Sequence, residues 1–327
     1  MKESRYYKEI GNGVMQCTLC PHNCIIKNGR KGFCRAIQNI DGKLFSINYG
    51  QITAIHLDPI EKKPLYHYRP GSLILSIGSF GCNFRCGFCQ NHTISMGKEY
   101  DLVHRTPKQI VEKAMALRPN IGIAYTYNEP IIFYEFMRDV AIEAKDNNLD
   151  NILVSNGFIN KEPLNEISPL LDAANIDLKA FNNEFYEKIT RGRLNDVLRT
   201  IEILYDNNVH LEITHLLIQG FNDNIKEFKK MINWIAAIDK TIPFHISRYY
   251  PAYKFTASAT NASLIKYYAD VAKDVLDYVY IGNVAYVDRN TYCPECHHLV
   301  LRRDPYYESY IINGKCENCG ADIPIVF

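Results

Sequence analysis

The sequence predicts an α/β fold built on a mainly parallel sheet, with a small metal-bound module at each end of the chain. Three observations lead to this prediction. From residue 72 onward, apolar segments rich in Ile, Leu and Val alternate with amphipathic helical segments. Such alternation is typical of parallel sheets that are closed or nearly so. The eleven cysteines fall into three tight groups, two of which flank this central region.

Composition limits the classes of function. The chain has 327 residues, a net charge of +1 and a pI near 7.5, which gives no general attraction to nucleic acids or acidic membranes. No nucleic-acid or membrane partner is therefore expected. The first residues are charged and no stretch approaches the length of a membrane span. We expect a cytoplasmic protein whose cysteines are reduced and bind metals rather than forming disulfides.

The first predicted domain, residues 1–56, contains one of the cysteine groups. Its members lie among glycines, a pattern that predicts a loop-rich knuckle held by a metal: Cys17, Cys20, Cys24 and Cys34. Two occupants fit this pattern, a structural zinc ion or an auxiliary iron–sulfur cluster, and His22 could replace one thiol. Residues 43–50 and 51–56 follow and predict two short paired strands joined by a glycine turn.

The second predicted domain, residues 57–288, starts with a proline-containing lead-in at 57–71 and continues with the strand and helix alternation. Strands are predicted at 72–78, 121–127, 151–155, 174–180, 209–218 and 242–248. Thr106-Pro107-Lys-Gln109 combines an N-cap, a proline in the first turn and a capping glutamine, so a helix begins there. Further helices are predicted at 130–147, 224–238 and 261–276.

The third predicted domain, residues 289–327, contains a pair of C-x2-C motifs separated by nineteen residues. The motifs consist of Cys293, Cys296, Cys316 and Cys319. This spacing predicts a zinc ribbon, whose closed tetrahedral site stabilises a segment too small to build its own core. Only Arg302 and Arg303 form a basic pair, so a structural or docking role is expected rather than nucleic-acid binding.

The middle cysteines lie in the segment Cys82-Asn-Phe-Arg-Cys86-Gly-Phe-Cys89. Thiolates suit iron–sulfur clusters, and three of them leave one iron of a [4Fe-4S] cluster without a protein ligand. The segment directly follows the predicted strand 72–78, at the end of a strand where α/β folds place their sites. The sequence therefore predicts a reactive cluster here. A structural zinc site and ordinary buried thiols are the alternatives.

This cysteine segment resembles the signature loop of radical S-adenosylmethionine (SAM) enzymes, in which SAM chelates the open iron through its amino and carboxylate groups. The likeness extends over roughly residues 15–290 and resembles the radical SAM member of the AmmeMemoRadiSam group, itself similar to pyruvate formate-lyase activating enzymes. It is carried by the segments 16–24, 58–67, 81–91, 125–130 and 245–253. The resemblance implies a partial (β/α)6 TIM-like barrel, open where the substrate enters.

The resemblance also implies which residues bind the cofactor. Glu129 stands where the superfamily has a Gly-Gly-Glu segment that holds the SAM amino group, although Tyr127 and Asn128 replace the glycines. The implied cofactor-binding residues are Phe88, Glu129, Ser155, Asn156, Asp177, Lys179 and His245. Five of them have a structural alternative: Phe88 could be a core aromatic and Glu129 a carboxylate at a helix start. Asp177 and Lys179 could pair with each other or with solvent, and His245 could be a structural histidine. The sequence identifies no further catalytic residue.

The implied activity is the one-electron cleavage of SAM by the reduced cluster, which gives methionine and a 5′-deoxyadenosyl radical. That radical abstracts hydrogen from a substrate, which we expect to be a protein, as for an activase. An electron donor of the flavodoxin or ferredoxin type is expected as a partner. Two alternatives remain open: radical modification of a small molecule or lipid precursor, and a non-catalytic metal-stabilised protein that binds RNA or another protein.

Overall fold

The computed structural model describes residues 1–97 and 101–327, and its centre is an eight-stranded sheet. The strands are β1 (Ala54–Pro59), β2 (Leu73–Gly78), β3 (Gly122–Tyr125), β4 (Asp150–Ser155), β5 (Ala173–Asp177), β6 (His210–Leu217), β7 (Phe244–Arg248) and β8 (Val279–Gly282). Their order in the sheet follows their order in the chain. Strands β2 to β8 run parallel, and β1 pairs antiparallel with β2 at one edge.

The six strands predicted from the sequence are confirmed as β2 to β7, and the α/β class with a parallel sheet is confirmed with them. Strand β8 was not predicted. It has only four residues, three of them partly exposed, so its apolar pattern is too short to stand out. Close pairing between β3 and β4 depends on Gly122, because a Cβ atom there would lie 2.0 Å from the backbone oxygen of Asp150.

Helices connect the parallel strands. They are α1 (His92–Met96), α2 (Pro107–Ala116), α3 (Tyr134–Asp146), α4 (Lys161–Ile167), α5 (Asn183–Phe185), α6 (Leu194–Asp206), α7 (Ile225–Asp239) and α8 (Ala262–Lys273). The helices predicted at 130–147, 224–238 and 261–276 are confirmed, the first one entered through a 3-10 turn at Pro130–Phe133. Asn224 and Asn261 cap α7 and α8 through their side chains.

The predicted capping box at the start of α2 is also confirmed. The backbone N–H of Gln109 donates to the Thr106 hydroxyl at 3.2 Å, and the backbone N–H of Thr106 donates to the Gln109 side chain at 3.0 Å. Two backbone donors that a helix start leaves without partners are thereby satisfied.

The amino-terminal region forms two small antiparallel sheets. One contains Tyr7–Gly11, Val14–Cys17 and Ile25–Ile26, and the other contains Lys2–Glu3, Ile37–Ile40 and Lys43–Ser46.

The predicted pairing of residues 43–50 with 51–56 is wrong. Lys43–Ser46 pairs instead with Ile37–Ile40 through a two-residue turn at 41–42, whose positive φ angles suit a tight hairpin. Gln51–Ile52 pairs with Val103–His104, and the following residues form β1 of the central sheet. The expected domain boundary after residue 56 falls inside β1.

The carboxyl-terminal segment is a small β-ribbon with strands Thr291–Tyr292, Leu299–Arg302, Glu308–Ser309, Ile311–Ile312 and Lys315–Cys316. It packs against the chain that leads into β2. The Arg303 guanidinium donates to the backbone oxygen of Tyr66 at 2.6 Å. The backbone N–H of Arg69 donates to the backbone oxygen of Val326 at 2.7 Å. Within the described residues, no helix is both long and apolar enough to cross a membrane.

Candidate active site

A cavity of about 350 Å³ lies at the carboxyl ends of the parallel strands. Residues that end or follow strands at both halves of the sheet line it, from Cys82 after β2 to Asn283 after β8. The sheet must therefore curve around this space, which makes it an open, partial barrel. The carboxyl ends of barrel strands are where active sites of such folds lie.

Most of the residues predicted to hold the central cluster and SAM meet at this cavity. Its lining includes Cys82, Cys86, Phe88, Cys89, Glu129, Ser155, Asn156, Asp177 and Lys179. They are separated by almost a hundred positions in the chain, and the parallel strands bring them together at one edge. Of the residues predicted to bind SAM, His245 is the one that does not line the cavity.

The cysteine loop is held in place by its own polar residues. The Asn83 side chain donates to the Phe158 backbone oxygen at 2.8 Å and accepts from the Asn156 side chain at 2.9 Å. The Arg85 guanidinium donates to the backbone oxygens of Cys82 and Phe84, both at 2.7 Å. These contacts hold the loop in place, so the thiols are presented in a set arrangement.

The three thiols fit an iron–sulfur cluster. Burial raises the pKa of Cys82 well above its usual value and that of Cys86 to about 12, so these thiols would ionise only beside positive charge. A single zinc ion would need sulfurs about 3.8 Å apart, from a Zn–S bond of about 2.3 Å. Among the described residues, only the carboxyl-terminal cysteines form a set whose ligand atoms all lie within 4.8 Å. The wider spacing of the Cys82, Cys86 and Cys89 sulfurs suits thiolates that bind different irons of one cluster.

Glu129 is buried at the start of the turn Pro130–Phe133 and faces the cavity. Its carboxyl oxygens accept from the backbone N–H of Ile131 at 3.1 Å, the Ser155 hydroxyl at 2.7 Å and the backbone N–H of Asn156 at 2.9 Å. Burial raises the pKa of Glu129 to about 7, against the effect of these hydrogen bonds. Glu129 thus caps the turn, as the structural alternative expected, and also faces the cavity, as expected of a cofactor-binding residue.

Asp177 and Lys179 form an ion pair in the wall of the cavity, with 2.9 Å between Nζ and the carboxylate oxygen. Burial by itself would lower the pKa of Lys179, but the Asp177 charge raises it above its usual value. The lysine therefore stays positively charged. Its ammonium lies 5.9 Å from the centre of the Phe88 ring, so Phe88 and the pair form one continuous wall.

His245 lies deeper in the barrel than predicted. Its Nε2 atom is 2.5 Å from a carboxylate oxygen of Glu212, and its ring stacks on that of Tyr280. Two positions later on the same face of β7, Ser247 is the residue that lines the cavity. The predicted role of His245 beside the cofactor is therefore not supported. The sequence identified the correct face of the strand but not the depth along it.

Several cavity residues were missed by the sequence interpretation. The lining also includes Lys63, Tyr127, Thr214, Ser247 and Asn283. The buried Lys63 ammonium lies 2.8 Å from an Asp58 carboxylate oxygen and 4.7 Å from the centre of the Tyr127 ring. Lys63 belongs to the segment 58–67 that carries part of the family resemblance, which was the available signal. Ser247 could have been found from its two-residue spacing to His245.

The carboxyl-terminal cysteines meet the spacing of one tetrahedral ion. The sulfurs of Cys293 and Cys319 are 3.5 Å apart, and those of Cys296 and Cys316 are 3.7 Å apart. Both distances are close to the separation of about 3.8 Å expected around zinc. The ribbon therefore contains a donor set that could hold a metal ion. The amino-terminal cysteines do not form such a tight set, and His22 Nε2 lies 2.7 Å from the backbone oxygen of Asn83.

Comparison with known proteins agrees with this geometry. The profile of the Radical SAM superfamily matches residues 76–235. An uncharacterised protein of Methanocaldococcus jannaschii is 38% identical over 343 residues, covering 100% of both chains. Pyruvate formate-lyase 1-activating enzyme of Escherichia coli K12 is 23% identical over 176 residues, which span 50% of this chain and 71% of the relative.

A solved structure supports the fold. SuiB of Streptococcus suis, determined with bound S-adenosylmethionine, superposes with a TM-score of 0.51 at 11% identity, over 64% of this chain and 51% of SuiB. The matched profile includes the cysteine loop, Glu129 and the ends of β4 and β5, which are among the parts of the chain that line the cavity. The chain belongs to the radical SAM superfamily and is an enzyme of that type.

Proposed function

We propose that the protein cleaves SAM reductively at a [4Fe-4S] cluster held by Cys82, Cys86 and Cys89, and uses the resulting 5′-deoxyadenosyl radical on a protein substrate. The observation that carries this proposal is the meeting of the three-cysteine loop and the buried Glu129 at one cavity. When bound, the cluster and SAM supply the one-electron chemistry, and the protein orients them and excludes water.

The residues of the cavity divide the binding of SAM among them. Glu129 accepts hydrogen bonds from the amino group, since its carboxyl group is buried and faces the cavity. Ser155 and Asn156 hold Glu129 in position, and Asp177 with Lys179 presents opposite charges to the polar groups of SAM. Phe88 offers a buried aromatic face for the adenine ring.

A protein substrate and a reducing partner complete the proposal. The activating enzyme of Escherichia coli is named for its action on another enzyme, which favours an activase-like role for this chain. All eleven cysteines are unpaired, as suits a reducing cytoplasm and an electron donor of the flavodoxin or ferredoxin type. In the ribbon we propose zinc, because the sulfur spacing fits a tetrahedral ion.

The first test measures SAM cleavage. Anaerobically purified protein, reconstituted with iron and sulfide and reduced with dithionite, should convert SAM to 5′-deoxyadenosine. The variant C82A/C86A/C89A should form none, because the cluster loses all its protein ligands. Cys319→Ser, which changes a cysteine of the ribbon, should retain product formation. Absence of 5′-deoxyadenosine from wild-type protein, even after long incubation, would contradict the proposal.

The second test addresses the class of substrate. Cells grown in deuterated medium supply a protein fraction and a fraction of small molecules and lipids. Each fraction is incubated with the reduced enzyme and unlabelled SAM, and the mass of 5′-deoxyadenosine is measured. Deuterium from the protein fraction is expected. Deuterium from the other fraction alone would replace the protein substrate by a small molecule or lipid precursor.

A further inference from the structure

The amino-terminal cysteines converge without forming a tight single-ion site. Cys17 and Cys20 each lie near enough to Cys24 and Cys34 for their charges to interact. Yet no three of these thiols, with or without His22, have ligand atoms that all lie within 4.8 Å of one another. The ribbon of the same chain does meet that spacing. The two four-cysteine groups therefore differ in geometry.

This difference separates the two candidate occupants. Four thiolates on one tetrahedral zinc ion must lie about 3.8 Å apart, whereas thiolates that bind different irons of a cluster are held further apart. The sulfur spacing in the ribbon fits one zinc ion. The amino-terminal cysteines lie near one another but are more widely spaced, which fits a cluster of several irons.

The surroundings of these cysteines also suit a cluster. Cys17, Cys20 and Cys34 are buried in an apolar environment. The Phe33 backbone N–H donates to the Cys24 sulfur at 3.4 Å, a type of contact that tunes iron–sulfur clusters.

The amino-terminal cysteine module packs directly on the loop that contains Cys82, Cys86 and Cys89. The backbone oxygen of Cys34 lies against Gly81, where a Cβ atom would come within 2.5 Å of it. His22 Nε2 is 2.7 Å from the backbone oxygen of Asn83. The Arg85 guanidinium lies 3.9 Å from the centre of the Phe33 ring and donates to the Phe33 backbone oxygen. Residues on both sides of Cys82 thus touch the amino-terminal module.

We propose that Cys17, Cys20, Cys24 and Cys34 hold a second iron–sulfur cluster with four protein ligands, packed against the loop of the SAM-binding cluster. The second cluster is inferred from the spacing and packing of these four cysteines, so its presence does not depend on SAM cleavage. The site takes iron and sulfide rather than zinc. His22 is not a ligand in this arrangement, because the four thiols complete the set of protein ligands.

The test counts metals in a chain from which the first cluster has been removed. The variant C82A/C86A/C89A is purified anaerobically, and iron, acid-labile sulfide and zinc are measured per chain. We expect about four irons with equal sulfide, or about two for a smaller cluster on the same four thiolates, together with about one zinc in the ribbon. A paramagnetic resonance signal after dithionite reduction should accompany the iron. Almost no iron with about two zincs would overturn the proposal.

Two further measurements keep the result decisive. Adding C20A/C34A to the triple variant should remove the remaining iron while the zinc of the ribbon stays. If the triple variant does not fold, wild-type protein gives the answer: about eight or six irons and one zinc support the second cluster, whereas about four irons and two zincs overturn it. These counts are independent of whether 5′-deoxyadenosine is formed, so failure of either proposal is recognised separately.

Discussion

Glu129 is a buried carboxyl group whose three hydrogen-bond donors are all neutral. Burial is the reason that the pKa of Glu129 is raised to about 7, since it outweighs these hydrogen bonds. A ligand with an amino group in the cavity would favour the ionised form, so binding of such a ligand and ionisation of Glu129 are linked. Single residues of this kind make the cavity selective for ligands with hydrogen-bond donors.

The pH dependence of SAM binding follows from this link. Only the ionised carboxylate carries the negative charge that attracts the amino group, so SAM affinity should weaken as the pH falls below about 7, by up to about tenfold per pH unit. Above about pH 7 Glu129 stays ionised, so its contribution to SAM affinity no longer changes with pH. Equilibrium binding of SAM to the anaerobic, cluster-loaded protein between about pH 5.5 and 8.5 measures the profile.

Substitution of Glu129 provides the matched comparison. Glu129→Gln should weaken SAM binding by roughly 10- to 100-fold at neutral pH and remove the decline on the acidic side, because a charged hydrogen bond is lost. Glu162→Gln, at an exposed position of α4, should keep the wild-type profile. An unchanged profile in Glu129→Gln would exclude Glu129 as the titrating group.

At the scale of elements, local signals in the sequence set where helices begin. The capping box of α2 uses a side chain and a backbone group from residues three positions apart, and both contacts form as predicted. Such contacts depend on neighbouring residues alone and not on the rest of the fold. Their contribution to stability can therefore be isolated by one substitution.

Thr106→Ala removes the side-chain acceptor of the Gln109 N–H and should lower the free energy of unfolding by about 1 kcal/mol. Thr106→Ser keeps an acceptor at the same place and should stay close to wild type. Denaturant-induced unfolding followed by circular dichroism compares the two variants. Equal midpoints for both would mean that the cap does not contribute.

At the scale of the whole molecule, Glu212 joins three parts of the chain below the cavity. It accepts from the backbone N–H groups of Tyr66 and His67 at 3.0 and 2.7 Å, and His245 Nε2 lies 2.5 Å away. His67 in turn contacts Tyr280 of β8 and the Pro324 backbone oxygen of the ribbon segment. One buried carboxylate thus ties the sheet to the lead-in segment and, through it, to the ribbon.

The charge of Glu212 should matter for stability in a defined pH range. Burial by itself would raise the pKa of Glu212, but hydrogen bonds from His210 and His245 lower it well below the usual value of about 4.5. The stabilisation is therefore present above about pH 4.5 and is lost as the pH falls below it, because only the unfolded form then takes up the proton readily.

Glu212→Gln should lower the free energy of unfolding by about 3 kcal/mol, since it leaves buried donors facing an amide group. The midpoint of thermal unfolding at neutral pH measures the loss, and the difference from wild type should shrink toward pH 3 to 4, a range set by about the ordinary glutamate pKa. The exposed Glu202→Gln on α6 is the control. A similar midpoint for both variants would contradict a central role for Glu212.

Much of the fold could be predicted because its signals are local. The strands β2 to β7, the caps of α2, α7 and α8, and the spacing of the cysteine loop all rest on residues close together in the chain. Prediction failed where pairing or depth was decided by distant residues. Strand β1 pairs with β2 and not with residues 43–50, which precede it in the chain. His245 lies against Glu212 instead of the cavity.

The sequence by itself determined the alternation of strands and helices, the three cysteine groups and the cysteine loop of a radical SAM enzyme. Each is specified by periodicity or spacing over a few residues. Only the tertiary structure decided that Glu129 is buried at the cavity, that His245 serves a buried network, and that the amino-terminal cysteines pack on the cluster loop with a wider spacing than the ribbon. Burial and distance between remote residues are properties of packing, and packing exists only once the chain has folded.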